Sequence, residues 1–166
     1  MAGEHSSEEM PELIGNYTVA VDPSYRLMLP AEWRTSEHLK RLFPIYVAPW
    51  PPTSKCPPEQ RRLLLIPKPR WDEASARLRS ANLLNPAEWR LRRALFGNSR
   101  RLDLDKVGRV CLGKQLVEEA GIKDRAVVIG VQTAIEAWAP ERLEASKLEE
   151  ELSVEELAQL GDQLYI

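Results

Sequence analysis

The sequence predicts an α+β fold built from a duplicated unit: strand, turn, strand, short helix, strand, loop, strand, then helix. The first observation is a pattern that occurs twice, 83 positions apart. Asp22-Pro-Ser-Tyr-Arg26 and Asp105-Lys-Val-Gly-Arg109 both read D-x-x-x-R. The second observation is their shared context. Each copy follows an alternating segment (Tyr17-Thr-Val-Ala-Val21; Arg101-Leu-Asp-Leu104) and precedes an apolar triplet (Leu27-Met-Leu29; Val110-Cys-Leu112) and a short helical stretch. Internal repeats constrain a fold more than any single residue does. The third observation is size. The strand pairs are short, and a lone two-stranded hairpin is marginal in water. The copies must therefore pack on each other, as two halves of one domain sharing a core.

The elements follow in order. A first strand covers Tyr17 to Val21, and the turn from Asp22 to Tyr25 leads into a second at Arg26 to Leu29. Pro30 starts a short helix, because its missing N–H costs nothing at a first helical position. Phe43 to Val47 is a third strand. Residues 48–62 form a loop holding five of the 13 prolines, and Leu63 to Ile66 is the returning strand, ended by Pro67. Trp71 to Phe96 reads as an interrupted helix. Its second part opens on Asn85-Pro-Ala-Glu88, with a cap residue, Pro at the first helical position and Glu three after the cap. Gly97 stops it.

The second unit repeats this order. Strands run at Arg101 to Leu104 and Arg109 to Leu112, and a helix at Lys114 to Ala120 ends on Gly121. Strands at Ala126 to Ile129 and Ile135 to Trp138 follow. Pro140 opens a helix to Leu152, and Ser153-Val-Glu-Glu156 is a capping box for a last helix stopped by Gly161. The resulting division is an acidic disordered tail over 1–12, a first repeat over 13–83, a helix and second repeat over 84–143, and acidic helices over 144–166.

Composition bounds the function. The 166 residues are 43% apolar, enough for a core, and no apolar run approaches the ~18 residues that span a bilayer. The first twelve residues lack the basic start and apolar stretch of a secretory signal, so a cytoplasmic protein is expected. Cys56 and Cys111 form neither a metal-ligand spacing nor a disulfide framework. Cys111 alternates with apolar neighbours and reads as a core residue, and Cys56 as a loop thiol. Net charge is only −2, but from Arg90 to Lys114 eight basic residues face only Asp103 and Asp105, a net of +6. A basic middle between acidic ends can make a basic face without a basic protein. The plain alternative is a solvated helix surface with acidic tails. No Gly-rich phosphate loop, metal-ligand cluster or nucleophile with a placed base appears, so no enzyme activity and no cofactor are expected.

With these residues in view, the chain resembles the MraZ family, a double domain of the AbrB-like swapped-hairpin class. The resemblance rests on Gly15-Asn-Tyr-Thr-Val-Ala-Val-Asp22 with Arg26-Leu-Met-Leu-Pro-Ala-Glu-Trp33, and on Leu102-Asp-Leu-Asp-Lys-Val-Gly-Arg109 with Ala120-Gly-Ile. Val127-Val-Ile-Gly-Val and Ile135-Glu-Ala-Trp-Ala-Pro-Glu-Arg142 complete it. It implies short antiparallel strands in a shared barrel-like core with flanking helices. It also implies a transcriptional regulator that binds double-stranded DNA upstream of division and cell-wall genes, in the nucleoid, as a ring-shaped homo-oligomer with its D-x-x-x-R turns on one face.

The chemistry agrees with that implication. An Asp in such a turn can accept backbone N–H groups and orient the Arg by a charge-assisted bond. The Arg then presents a planar fork suited to phosphate or to guanine O6 and N7. The candidate DNA-binding residues are Asp22, Arg26, Asp105, Lys106 and Arg109, with Arg100 and Arg101 flanking a strand nearby. The family carries Lys-Gly before the Arg. Here the second copy has Val107-Gly108 and the first Ser24-Tyr25. Tyr takes a positive φ less cheaply than Gly, which predicts another shape for the first turn, or an aromatic presented to DNA.

The competing readings are structural. Either Asp–Arg pair could simply close its hairpin, and Arg90, Arg92 and Arg93 read best as a solvated helix face. Trp33, Trp71, Trp89 and Trp138 read as core or subunit packing, while Trp50, between prolines, is more exposed. A second function class is an oligomeric protein-interaction scaffold of the same fold that has lost specific DNA binding, with the Pro-rich loop 48–62 as a possible site for a protein partner. A single-copy antitoxin-like regulator is a weaker third, because the unit here is doubled.

Overall fold

The computed structural model describes residues 10–53, 55–79, 84–149 and 153–164. The acidic tail lies outside them through residue 9, as does the end of the helix expected to reach Leu152. The chain runs β1 (Asn16–Ala20), β2 (Arg26–Met28), α1 (Ser36–Leu42), β3 (Ile45–Trp50), β4 (Arg62–Pro67), α2 (Lys68–Arg79) and α3 (Pro86–Phe96). It continues through β5 (Arg100–Leu102), β6 (Arg109–Cys111), α4 (Lys114–Glu119), β7 (Arg125–Gly130), β8 (Ile135–Trp138), α5 (Pro140–Glu149) and α6 (Val154–Leu164). This is the mixed α+β order that the sequence predicts.

One antiparallel sheet has the order β1-β7-β8-β4-β3-β5, and a separate ribbon pairs β2 with β6. The sheet order is the same read backwards when each strand is exchanged for its counterpart in the other copy. The first strand of each copy pairs with the third strand of the other: Thr18 faces Val127, and its counterpart Arg101 faces Tyr46. Neither copy owns its sheet, so neither can bury its apolar face alone.

The alternation of the strands explains the core. Val47 and Ile45 on β3, Leu63 and Leu65 on β4, Ala126 and Val128 on β7, and Ile135 and Ala137 on β8 are fully buried. Strand side chains alternate faces, so these residues line one side of the sheet. Leu27 and Val110, paired across the ribbon, are also fully buried. The ribbon therefore lies on the same core with its other face outward.

Several local expectations are corrected. The strand pair extends into the predicted loop: Ala48, Pro49 and Trp50 face Leu64, Leu63 and Arg62. Trp50 is half-buried rather than exposed. After Pro30 the chain makes only a 3-10 turn, Ala31–Arg34, and the α-helix begins at Ser36, where the Thr35 hydroxyl accepts the His38 N–H at 3.4 Å. Gly161 does not stop the last helix, which runs to Leu164. Cys111 is exposed, because Val110 beside it takes the inward position.

Candidate nucleic-acid interface

Each D-x-x-x-R turn is closed by its aspartate. Asp22 Oδ1 accepts the N–H groups of Ser24 (2.9 Å) and Arg26 (3.0 Å); Asp105 Oδ1 accepts those of Val107 (2.9 Å) and Arg109 (2.9 Å). The Asp22 and Asp105 N–H groups each donate to the carbonyl of their own Arg, at 2.9 Å in both turns. The residue before each Arg has positive φ, +62° at Tyr25 and +97° at Gly108. The first turn thus keeps the shape of the second, against the expectation that Tyr would change it. The Tyr25 ring packs against the core, which offsets the backbone cost of this conformation. Its carbonyl accepts the Leu112 N–H at 2.9 Å, and the Gly108 carbonyl accepts that of Leu29 at 3.1 Å. The two turns are pinned to opposite ends of the ribbon by equivalent bonds.

The ribbon brings the arginines to one face. Arg26 lies opposite Cys111 and Met28 opposite Arg109, while Leu27 and Val110 between them point inward. Arg109 donates from Nε to Asp105 Oδ2 (2.8 Å) and from Nη1 to Asp22 Oδ2 (3.2 Å). Arg26 makes a looser ion pair, its Nε 3.0 Å from the same Asp22 oxygen but not aligned for a hydrogen bond. Arg109 is accordingly the less exposed, 27% against 39%. Both aspartates are held below the ordinary carboxyl range, first by the backbone N–H of Arg26 or Arg109 and then by the second turn amide and the guanidinium charge.

The other candidates lie apart from this cluster. Lys106 is exposed at the tip of the second turn. Arg100 sits on edge strand β5 with its guanidinium against Gly113, just past the end of β6. Arg101 pairs with Asp103 at 3.8 Å. Sequence reading missed Arg34, whose side chain lies over Gly108 and whose Nη1 is 3.4 Å from the Val107 carbonyl. Nothing in its neighbourhood marks it, since the contact spans 73 positions. Trp33 and Trp138 are buried in the core, while Trp89 is exposed, which rules out the core half of its reading and leaves subunit packing. Among the described residues no cluster of His, Cys, Asp or Glu could hold a metal ion, and no helix is long and apolar enough to cross a membrane.

Comparison with known proteins places this architecture. A protein from Herpetosiphon aurantiacus named Transcriptional regulator MraZ is 34% identical over 133 residues, covering 78% of this chain and 82% of its own. The chain belongs to the MraZ family. Proteins of the same name from Chlorobaculum parvum (30% over 144 residues, 81% of this chain and 83% of that protein) and Chlorobaculum tepidum (31% over 141 residues, 81% and 88%) are similar. A family model described as "MraZ protein, putative antitoxin-like" matches residues 95–162. That match holds the second turn and β5 to β8, while the first turn lies outside it. The MraZ likeness in the first copy therefore rests on the relatives, and its turn shares the hydrogen-bond pattern of the second.

Proposed function

We propose that this MraZ chain is a DNA-binding transcriptional regulator, not an enzyme, that contacts double-stranded DNA through its two D-x-x-x-R turns. The observation that carries this reading is the pairing of two geometrically equal turns on one ribbon, with Arg26 and Arg109 on its outward face. A guanidinium has five N–H donors. Arg109 directs two toward carboxylates, and the remaining donors suit a phosphate or guanine O6 and N7. Lys106 adds a phosphate contact at the turn tip. Arg100 and Arg101 add positive charge at edge strand β5, on opposite faces of that strand. The names of the similar proteins support the regulator role.

The finer reading is a ring-shaped homo-oligomer acting at repeated sites upstream of division and cell-wall genes, in the nucleoid. Repetition of a weak turn around an oligomer raises avidity without new contacts. The Pro-rich segment 48–62 offers a surface for a protein partner. One observation favours the scaffold alternative: Asp22 and Asp105 neutralise the two arginines they hold. One experiment decides between them. Binding to DNA upstream of the protein's own gene is measured across a salt series for wild type and Arg109→Ala, with circular dichroism to confirm folding. The regulator reading expects tight, salt-dependent wild-type binding that collapses in the variant. Binding no better than to random DNA by a folded wild-type protein would overturn it.

A further inference from the structure

The last helix is well specified and uncovered. Ser153 and Glu156 form a reciprocal cap: the Ser153 hydroxyl accepts the Glu156 N–H at 3.1 Å, and the Glu156 carboxylate accepts the Ser153 N–H at 2.8 Å. Yet no residue of α6 is buried. Val154, Leu157, Leu160 and Leu164 recur at helical spacing and are 44% to 83% exposed. An eleven-residue helix is marginal in water, and most helical stability in proteins comes from packing an apolar face. The stripe on α6 therefore calls for a partner. Between 154 and 164 the charged residues are Glu155, Glu156 and Asp162, with no Lys or Arg.

A complementary surface lies on α3. Trp89 and Phe96, seven positions apart, share an exposed face with Arg93 between them and are 48% and 36% exposed. The Arg92 guanidinium lies 5.4 Å from the Trp89 ring centre. The face continues inward as a file of rings. Phe96 meets Trp71 edge to face at 5.1 Å, and Trp71 stacks on Tyr46 at 4.4 Å. This file ties α3 through Trp71 of α2 to Tyr46 on strand β3. Arg90, Arg92 and Arg93 surround it, with Glu88 the one acid on the helix.

We propose that α6 of one copy docks its apolar stripe on the Trp89–Phe96 face of α3 in a second copy of this chain. Helix α6 carries three acids and no base, with Glu156 bordering the stripe, and α3 carries three arginines and one acid, so net charge favours this pairing. It disfavours α6 against α6, which would set acid beside acid. The two surfaces differ, so the contact is head-to-tail, and repeated contacts close into a ring or run on as a filament. This inference deepens the oligomer reading given above by naming the surfaces that join the copies.

The test uses two full-length variants that each disable one surface, followed by sedimentation velocity at equal concentrations. Leu157→Asp with Leu160→Asp removes the α6 stripe; Trp89→Glu with Arg93→Glu removes the α3 face. Circular dichroism and thermal melting confirm that both remain folded, since all four positions are exposed. The expected result is an oligomeric wild type and two variants with the mass of a single chain. Mixed one to one, the variants should form a dimer and nothing larger, because each retains the surface the other lacks. A full-sized oligomer from either variant alone would overturn the proposal, and so would a mixture that stays monomeric. A monomeric wild type would overturn it together with the oligomer reading. An oligomeric wild type indifferent to both variants would overturn this contact alone.

Discussion

Arg109 is bonded to Asp22, a residue 87 positions earlier, through an Nη1–Oδ2 contact of 3.2 Å. The same guanidinium holds Asp105 of its own turn at 2.8 Å. A single side chain thus joins the two copies of the motif on the outward face of the ribbon. Asp22 in turn serves both arginines, whereas Asp105 serves one. The duplicated turns are equal in backbone and unequal in side-chain wiring, with Arg26 the more loosely held.

This wiring predicts a pH dependence. Both carboxyls titrate below the ordinary Asp value of 3.8, chiefly because backbone N–H groups of Arg26 and Arg109 favour the charged form. A folded pKa depressed in this way contributes stability above the unfolded value, and that stability is lost as pH falls through the folded value. The melting temperature should fall further as pH drops below 3.8. Asp22→Asn with Asp105→Asn should melt lower at neutral pH and lose less on acidification. Melting curves between neutral pH and strong acid check this; equal losses for both proteins would contradict it.

Gly108 and Tyr25 occupy equivalent positive-φ positions with different support. Tyr25 gains core packing for its ring, but a Cβ at position 108 would lie 2.6 Å from Arg34 Cδ as well as requiring φ near +97°. Gly108→Ala is therefore expected to cost about 1–3 kcal/mol, measured by urea unfolding, and to displace Arg34 from the turn. A variant as stable as wild type would show that the turn relaxes freely.

The fold was legible because its signals are local and repeated. Two D-x-x-x-R turns in matching flanks announce two copies, and Pro86 after Asn85 places the start of α3, with the Asn85 side chain accepting the Ala87 N–H at 2.9 Å. The failures have physical causes. Prolines at 49 and 51 read as a loop, yet Pro49 lies within β3, opposite Leu63. Cys111 was readable in principle, since strict alternation puts it opposite in facing to Val110, but its apolar neighbours suggested burial. Tyr25 kept a glycine-like turn because tertiary packing outweighed local preference. Arg34 over Gly108 and Arg109 on Asp22 are contacts between copies, which spacing along the chain does not encode.

Lys106 and Arg109 should fail differently on DNA. Lys106 stands exposed at the turn tip, a position for a point charge beside a phosphate. Lys106→Ala should weaken binding about equally for all sequences and lower the slope of log K against log salt by about 1. Arg109→Ala should erase the preference for the specific site as well. A Lys106→Ala protein that loses only its sequence preference would place Lys106 on a base edge instead.

Cys111 provides a footprint of the ribbon face without altering it. It is exposed, faces Arg26 across the strands, and its thiol lies 3.8 Å from the Ser24 carbonyl. The other cysteine, Cys56, is half-buried in the Pro-rich segment. In the folded protein a maleimide should label Cys111 readily. Specific DNA should slow that labelling at Cys111 by an order of magnitude or so, in proportion to the fraction bound, and leave Cys56 unchanged. Protection of Cys56 with none at Cys111 would move the interface to the Pro-rich segment. Rates followed by mass spectrometry of peptides separate the two sites, and Cys111→Ser confirms the assignment. Because Cys111 lies directly opposite Arg26 and beside the first turn, protection there tests whether DNA reaches the first turn as well as the second.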